Sequence, residues 1–200
     1  KQYDEKIDNT TGSLTWANDN ETVFYSKKDL TTLRVNKIFK HKLNSNPKKD
    51  ELIYEEKDES FSVGISKSKS EDFLFINAVS TLTSEIRFLN ANKPDEKFKV
   101  FEKRAKGHEY SVSHFKDNFY IITNKDNSKN FKLMKSSIGK TKKENWEKVI
   151  GHRRNILLEG IEIFNDYLVV IERDSGLVKM NIRSWDNNEN YYLPVEGETY

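Results

Sequence analysis

Four dense apolar runs recur along the chain at nearly equal spacing: Val23-Phe24-Tyr25, Phe73-Leu74-Phe75-Ile76, Phe119-Tyr120-Ile121-Ile122 and Tyr167-Leu168-Val169-Val170-Ile171. Their first residues lie 50, 46 and 48 apart (73−23, 119−73, 167−119). A period of that size marks a repeat architecture, in which each unit hides its apolar face against the next.

The surroundings of the four runs match as well. Before each stands a short alternating segment, Leu14/Trp16, Phe61/Val63/Ile65, Tyr110/Val112 and Ile161/Ile163, which reads as a half-buried strand. After each comes a third segment, residues 37–41, 85–89, 131–134 and 177–180, and then a fourth, 52–54, 98–101, 146–150 and 191–193. Pro47 and Pro94 sit 47 apart (94−47), both between third and fourth segments, where a preset φ helps the chain reverse without removing a ladder hydrogen bond. Gly139 and Asp186-Asn187-Asn188 take that place in the later repeats, and Pro194 reads as part of the outermost strand.

Repeated four-stranded units of this length predict an all-β fold: a β-propeller segment of four four-stranded antiparallel blades. A solenoid of β-coils needs shorter repeats, and a Greek-key sandwich does not repeat. Blades are expected at about 13–56, 60–104, 109–151 and 156–200, with residues 1–12, including Tyr3 and Ile7, as the end of a preceding blade or a connector. The second strand of each blade reads as continuously apolar because neighbouring blades cover both of its faces. Uncovered blade faces at the ends of such a row predict homo-association.

Composition narrows the function classes. With 35% apolar and 33% charged residues, the core must be built from thin, evenly spaced pieces, much of it from the 12% aromatic content. Lys+Arg 34 against Asp+Glu 32 leaves a net charge of +2, without the basic excess of a nucleic-acid binder. No apolar run approaches the roughly 18 residues of a membrane span, and the polar start KQYDEKIDNTTG is not a signal peptide. Neither nucleic acid nor membrane is therefore an expected partner. The absence of cysteine excludes disulfides, thiolate metal sites and a cysteine nucleophile.

No catalytic motif is present. The chain has no G-x-S-x-G elbow, no phosphate-cradling G-x-x-x-x-G-K-[ST] and no H-E-x-x-H. His108 and His114, six apart, fit no common metal-ligand spacing, so no metal and no cofactor is expected. His152-Arg153-Arg154 reads either as an anion or interface site or as a solvated connector. The acid run Glu55, Glu56, Asp58 and Glu59 spans the end of one outermost strand and the crossing to the next innermost one. Such corners are often simply solvated, yet they lie on the face of a propeller that commonly meets partners.

The order LTWAND, LIYEEKDESF, TSEIRFLNA, HEYS, KNF and ILLEG followed by DYLVVIERDSGL, from about Ser13 to Leu177, resembles the oligopeptidase B (protease II) group of the prolyl oligopeptidase family of serine peptidases. The resemblance implies a seven-bladed propeller over an α/β-hydrolase domain carrying a Ser, Asp and His triad, with short peptides cut after Lys or Arg. On that footing this chain supplies middle blades, lacks the catalytic domain, has no catalytic residue and is inactive by itself. Its expected partners are the hydrolase domain of the same parent chain and, for the parent, short basic peptides; the expected compartment is the cytoplasm, with the periplasm open for the parent. The resemblance makes Glu55, Glu56, Asp58 and Glu59 candidates for steering cationic peptides or for bonding the hydrolase domain. A stand-alone propeller serving as a protein-binding module is the other reading of the same blades.

Overall fold

A computed structural model describes residues 5–187 and 189–194. The chain divides into two compact units, Lys1–His108 and Glu109–Tyr200.

The first unit holds two meanders. One consists of β1 (Thr10–Trp16), β2 (Thr22–Lys28), β3 (Val35–Lys42) and β4 (Glu51–Glu55), the other of β5 (Ser62–Lys67), β6 (Phe73–Val79), β7 (Ser84–Asn90) and β8 (Lys99–Glu102). In both, sequence neighbours pair antiparallel in simple order. The second unit repeats the plan with β9 (Tyr110–Phe115), β10 (Asn118–Thr123), β11 (Lys132–Ser137) and β12 (Glu147–Ile150), then β13 (Ile156–Ile163), β14 (Tyr167–Asp174), β15 (Leu177–Ser184) and β16 (Asn190–Tyr192). Four four-stranded antiparallel blades therefore stand where the apolar period predicts them.

Two boundaries differ from the sequence expectation. The first strand begins at Thr10, so Thr10–Gly12 belong to the first blade instead of to a preceding blade or a connector; Tyr3 lies outside the described residues. Pro194 follows the last strand by two residues (194−192) instead of lying in it, which spares the ladder altogether.

The core of the first unit lies between its two blades. Phe24 and Ile38 from one meet Val63, Ile65, Leu74 and Ile76 from the other, with Phe61 sealing one end. The opposite face of β6 carries Phe73 and Phe75, and the rings of Phe73, Phe88 and Phe101 follow one another at 6.0 and 5.8 Å. Both faces of β6 are thus apolar, which is why its sequence does not alternate. In the second unit Leu133 and Ile150 pack with Leu158, Ile163, Leu168 and Val170. There β14 departs from expectation: Leu168, Val170 and Glu172 are buried, whereas Tyr167 on the other face is 44% exposed. Only one face of β14 is fully covered among the described residues.

A shared irregularity shapes the fourth strand of three blades. The third and fourth strands slip register between Ile38 and Phe39, between Ile86 and Arg87, and between Leu133 and Met134. The extra residue on the fourth strand is Ile53, Phe101 and Val149, spaced 48 and 48 (101−53, 149−101). Each bulge adds one apolar side chain to a core and increases local twist as the strand leaves for the next blade. Phe101 is completely buried, and Ile53 and Val149 pack at core margins.

Candidate functional site

The acid run lies in the crossing from β4 to β5. The structure gives each of its four carboxylates a different situation. Glu55, the last residue of β4, faces Lys37 across the ladder at 3.3 Å, with both side chains about a third exposed. Asp58 caps its own turn: Oδ1 accepts from the Ser60 amide and hydroxyl at 2.9 and 2.7 Å, and the side chain is exposed. Glu59 is exposed. Glu56, by contrast, is only 5% exposed.

Burying a carboxylate requires that its lone pairs be satisfied. Arg104 donates to Glu56 Oε2 at 2.5 Å, the Tyr54 hydroxyl donates to the same oxygen at 2.6 Å, and the Asp58 amide donates to Oε1 at 3.0 Å. Burial opposes ionisation, but these donors outweigh it and hold the Glu56 carboxyl below its ordinary value. Burial and the bond to Glu56 push the Tyr54 hydroxyl up to about 12. Arg104 in turn lies over the Phe61 ring, 4.1 Å from its centre, and its amide donates to Glu85 at 3.1 Å. Glu85 also accepts from Arg87 at 2.8 Å, and the Arg87 guanidinium sits 4.7 Å above the Tyr54 ring.

Backbone carbonyls of the crossing are held separately. Arg34 Nη1 donates to the carbonyls of Asp58 and Phe61 at 3.1 and 2.6 Å, and Nη2 to that of Glu56 at 3.2 Å. At the other end of the same blade junction, Asn18 donates to Ala91, Glu71 and Asn92 at 2.8 to 3.1 Å. The junction is therefore pinned at both ends by polar bonds around an apolar middle.

The basic tripeptide of the second unit has a related use. Arg153 donates through two nitrogens to Glu172, at 2.5 and 3.2 Å, and Tyr192 donates to the same fully buried carboxylate at 2.9 Å. Asn130 donates to the carbonyls of Arg153 and Arg154 at 3.1 and 2.7 Å. Arg153 thus serves an internal carboxylate. His41 is buried against Asp50 at 2.8 Å, with Tyr25 donating to that acid at 2.8 Å. Among the described residues no three His, Asp or Glu side chains are grouped as a metal would need.

Sequence reasoning found the acid run and missed Arg104, which pairs with Glu56, Arg34, which holds the carbonyls of the crossing, and the Glu85 and Arg87 pair beside them. One signal was available. Arg104 follows Glu56 by 48 residues (104−56), which is one repeat, so the two stand at equivalent points of neighbouring crossings.

The family model for the prolyl oligopeptidase N-terminal β-propeller domain matches residues 1–196. The chain belongs to this family. Among proteins similar to this propeller chain, dipeptidyl aminopeptidase BI of Pseudoxanthomonas mexicana is 33% identical over 96% of this chain and 27% of its own length. Protease 2 of Moraxella lacunata is 31% identical over 84% of this chain and 24% of its own. Oligopeptidase B from Leishmania major superimposes with a TM-score of 0.91 at 25% identity, covering 98% of this chain and 29% of that one. The chain spans about a quarter of the length of the curated relatives it matches. No helix of this prolyl oligopeptidase propeller, among the described residues, is long and apolar enough to cross a membrane.

Proposed function

We propose that this chain is the propeller part of a serine oligopeptidase that cuts short peptides after Lys or Arg. The propeller restricts entry by size and works together with an α/β-hydrolase domain of the same polypeptide. The observation that carries the reading is the likeness to oligopeptidase B along nearly the whole chain, at a TM-score of 0.91. The chemistry belongs to the hydrolase domain, where a serine attacks the scissile carbonyl with histidine as base and water then releases the acyl group.

Within the acid run the proposed roles divide. Glu56 is a positioning residue that shapes the crossing through Arg104. Glu55, Asp58 and Glu59 are the side chains left to attract a cationic peptide or to bond the hydrolase domain. Exposed charges act at long range and are weakened by salt, so their effect falls on association.

The test uses the intact peptidase that contains this chain. An amino-blocked peptide amide with Arg before the scissile bond is expected to be cleaved, and a folded protein with exposed arginines is expected to be spared. Exclusive release of dipeptides from free amino termini, the action that the name of the Pseudoxanthomonas relative describes, would overturn the specificity. In the E55Q/D58N/E59Q variant, kcat/KM for the Arg peptide is expected to fall and to lose part of its salt dependence. Unchanged values would remove the steering role and leave the size filter standing.

A further inference from the structure

Among the described residues the three most exposed large apolar side chains are Leu30, Leu33 and Leu82, at 72, 67 and 62%, and no other exceeds 53%. All three stand in two hairpins of the first unit, residues 29–34 between β2 and β3 and residues 80–83 between β6 and β7. Leu33 and Leu82 hold one repeat position, each two residues before the third strand of its blade (35−33, 84−82). The equivalent positions of the second unit carry Asn130 and Ser175 (132−130, 177−175). Apolar tips are therefore a property of these two neighbouring blades and not of the repeat.

The fold of the first unit gives no reason for leucine at these places. Their side chains are withdrawn from its core, and Leu33 sits at φ +58°, in the left-handed region that asparagine or glycine enters more readily. Both tips are nevertheless held firmly. The Leu33 amide donates to the Asp29 carbonyl at 2.9 Å, and Asp29 Oδ1 accepts from the amides of Thr31 and Thr32 at 3.0 and 2.8 Å. The second hairpin is closed by the Ser80 amide donating to the Thr83 carbonyl at 2.9 Å. It is braced by the turn over residues 105–108, where the His108 amide donates to the Ala105 carbonyl at 2.9 Å and Gly107, at φ +77°, donates to Thr83 Oγ1 at 3.0 Å.

The two hairpins meet the same crossing. Arg34, next to Leu33, bonds the carbonyls of Asp58 and Phe61, and Leu82 shares a recess of about 560 Å³ with Asp58 and Ser60. Lys57, Asp58 and Glu59 of the crossing and Lys106 of the bracing turn are exposed beside the leucines. Apolar tips among charges of both signs match a protein surface, whereas two lysines balanced by two acids give no pull toward anionic lipid or nucleic acid.

The size of the patch selects among protein partners. Three leucine tips offer on the order of a few hundred Å², short of the roughly 1,000 Å² that a stable interface between separate chains needs. A partner tethered in the same polypeptide needs far less, because its effective concentration is high. The relatives have the length to supply one, since this chain spans only 27% and 24% of them.

We infer that Leu30, Leu33 and Leu82 form the apolar contact on which the hydrolase domain of the same polypeptide closes over this propeller. The inference rests on the two-domain reading above and adds the surface that holds the two domains together.

Small-angle X-ray scattering of the intact peptidase and of its L30S/L33N/L82S variant tests the contact. Asparagine suits the left-handed φ of position 33 and the other two side chains are already exposed, so thermal unfolding of the propeller is expected to stay at the wild-type temperature. Losing the burial of one leucine shifts an equilibrium by on the order of ten-fold, and the closed population of the triple variant is expected to fall by at least that factor. The fall is read as a larger radius of gyration and as cutting of a folded protein that the wild type spares. L30M/L33M/L82M keeps the apolar contact and is expected to keep the wild-type radius. One radius of gyration shared by wild type and the serine and asparagine variant overturns the proposal, as does equal expansion of the methionine variant. Specificity is scored apart from this: a peptidase that opens in the triple variant but does not cut after Lys or Arg keeps the contact and loses the specificity.

Discussion

Glu56 and Arg104 occupy the same position in successive repeats, each three residues past the extra residue of its bulge (56−53, 104−101), and their side chains meet at 2.5 Å. A repeat position filled by opposite charges in neighbouring crossings becomes a bond between blades. Removing Arg104 leaves the buried Glu56 carboxylate without its cation, whereas removing Glu56 leaves Arg104 with the weaker pair to Glu85 at 3.7 Å. E56Q is expected to lower unfolding free energy by about 2 to 3 kcal/mol, below the roughly 3 to 5 of a fully buried pair because Arg104 keeps some exposure. The double variant E56L/R104M removes both charges and is expected to unfold closer to wild type than either single change. Urea titrations of wild type, E56L, R104M and the double variant check this, and additive losses in the double variant would contradict the pairing.

The same bond sets a pH dependence. Burial opposes the charge on Glu56, but Arg104, Tyr54 and the Asp58 amide lower its carboxyl below the usual 4.5 in the folded chain. The unfolded chain therefore binds more protons in the interval between the two values. Stability from this group is complete above about 4.5 and is lost as pH falls through the lower folded value. Midpoint denaturant concentrations from about pH 6 to pH 3 should fall less steeply in E56Q than in wild type. Equal acid limbs would show that Glu56 is not held as described.

The bulges yield a graded prediction. Phe101 is fully buried, so F101A leaves a cavity and is expected to cost about 3 to 5 kcal/mol. Ile53 stands at the equivalent position but only partly buried, and I53A is expected to cost less than half as much. Chemical denaturation of both variants measures the difference.

How far the sequence revealed this architecture is visible in these residues. The apolar runs located all four blades because every second strand carries a dense apolar run with at least one buried face. Ile53, Phe101 and Val149 keep the repeat spacing, yet nothing local marks them as extra residues, since a bulge is defined only by the partner strand. Glu56 looked like its acidic neighbours because burial of a charge depends on cations distant in sequence, here Arg104 by 48 residues (104−56). Composition counts the acids of the run equally, whereas tertiary structure withdraws one of them from solvent. The one-sided cover of β14 was equally hidden, because its apolar run resembles those of strands buried on both faces.

Two glycines should respond oppositely to the same change. At Gly107 an added Cβ meets open space, but φ is +77°, so G107A is expected to destabilise by about 1 kcal/mol through backbone strain alone. Gly64, within β5, also has open space around a built Cβ and no left-handed φ. There G64A is expected to stabilise by about 0.4 to 1 kcal/mol by restricting the unfolded chain. Thermal unfolding of the two variants checks the signs, and a stabilising G107A would contradict the turn.

The open face of the last sheet leads to the final prediction. Period-two alternation and the pairings Ile171 with Met180 and Ile182 with Tyr191 place Tyr167, Val169, Ile171, Met180, Ile182 and Tyr191 on one side of the sheet. Met180 is 41% and Tyr191 53% exposed, so this side presents contiguous apolar surface to water. Surfaces of that kind associate, and the nearest complement in a pure solution is the same face of a second copy, related by a twofold axis. Sedimentation velocity is expected to show dimers of this chain whose population rises with concentration. M180K/Y191K places like charges across such a contact and should return the chain to monomer without loss of fold. A concentration-independent monomer in the wild-type chain would show that the exposed face does not drive association.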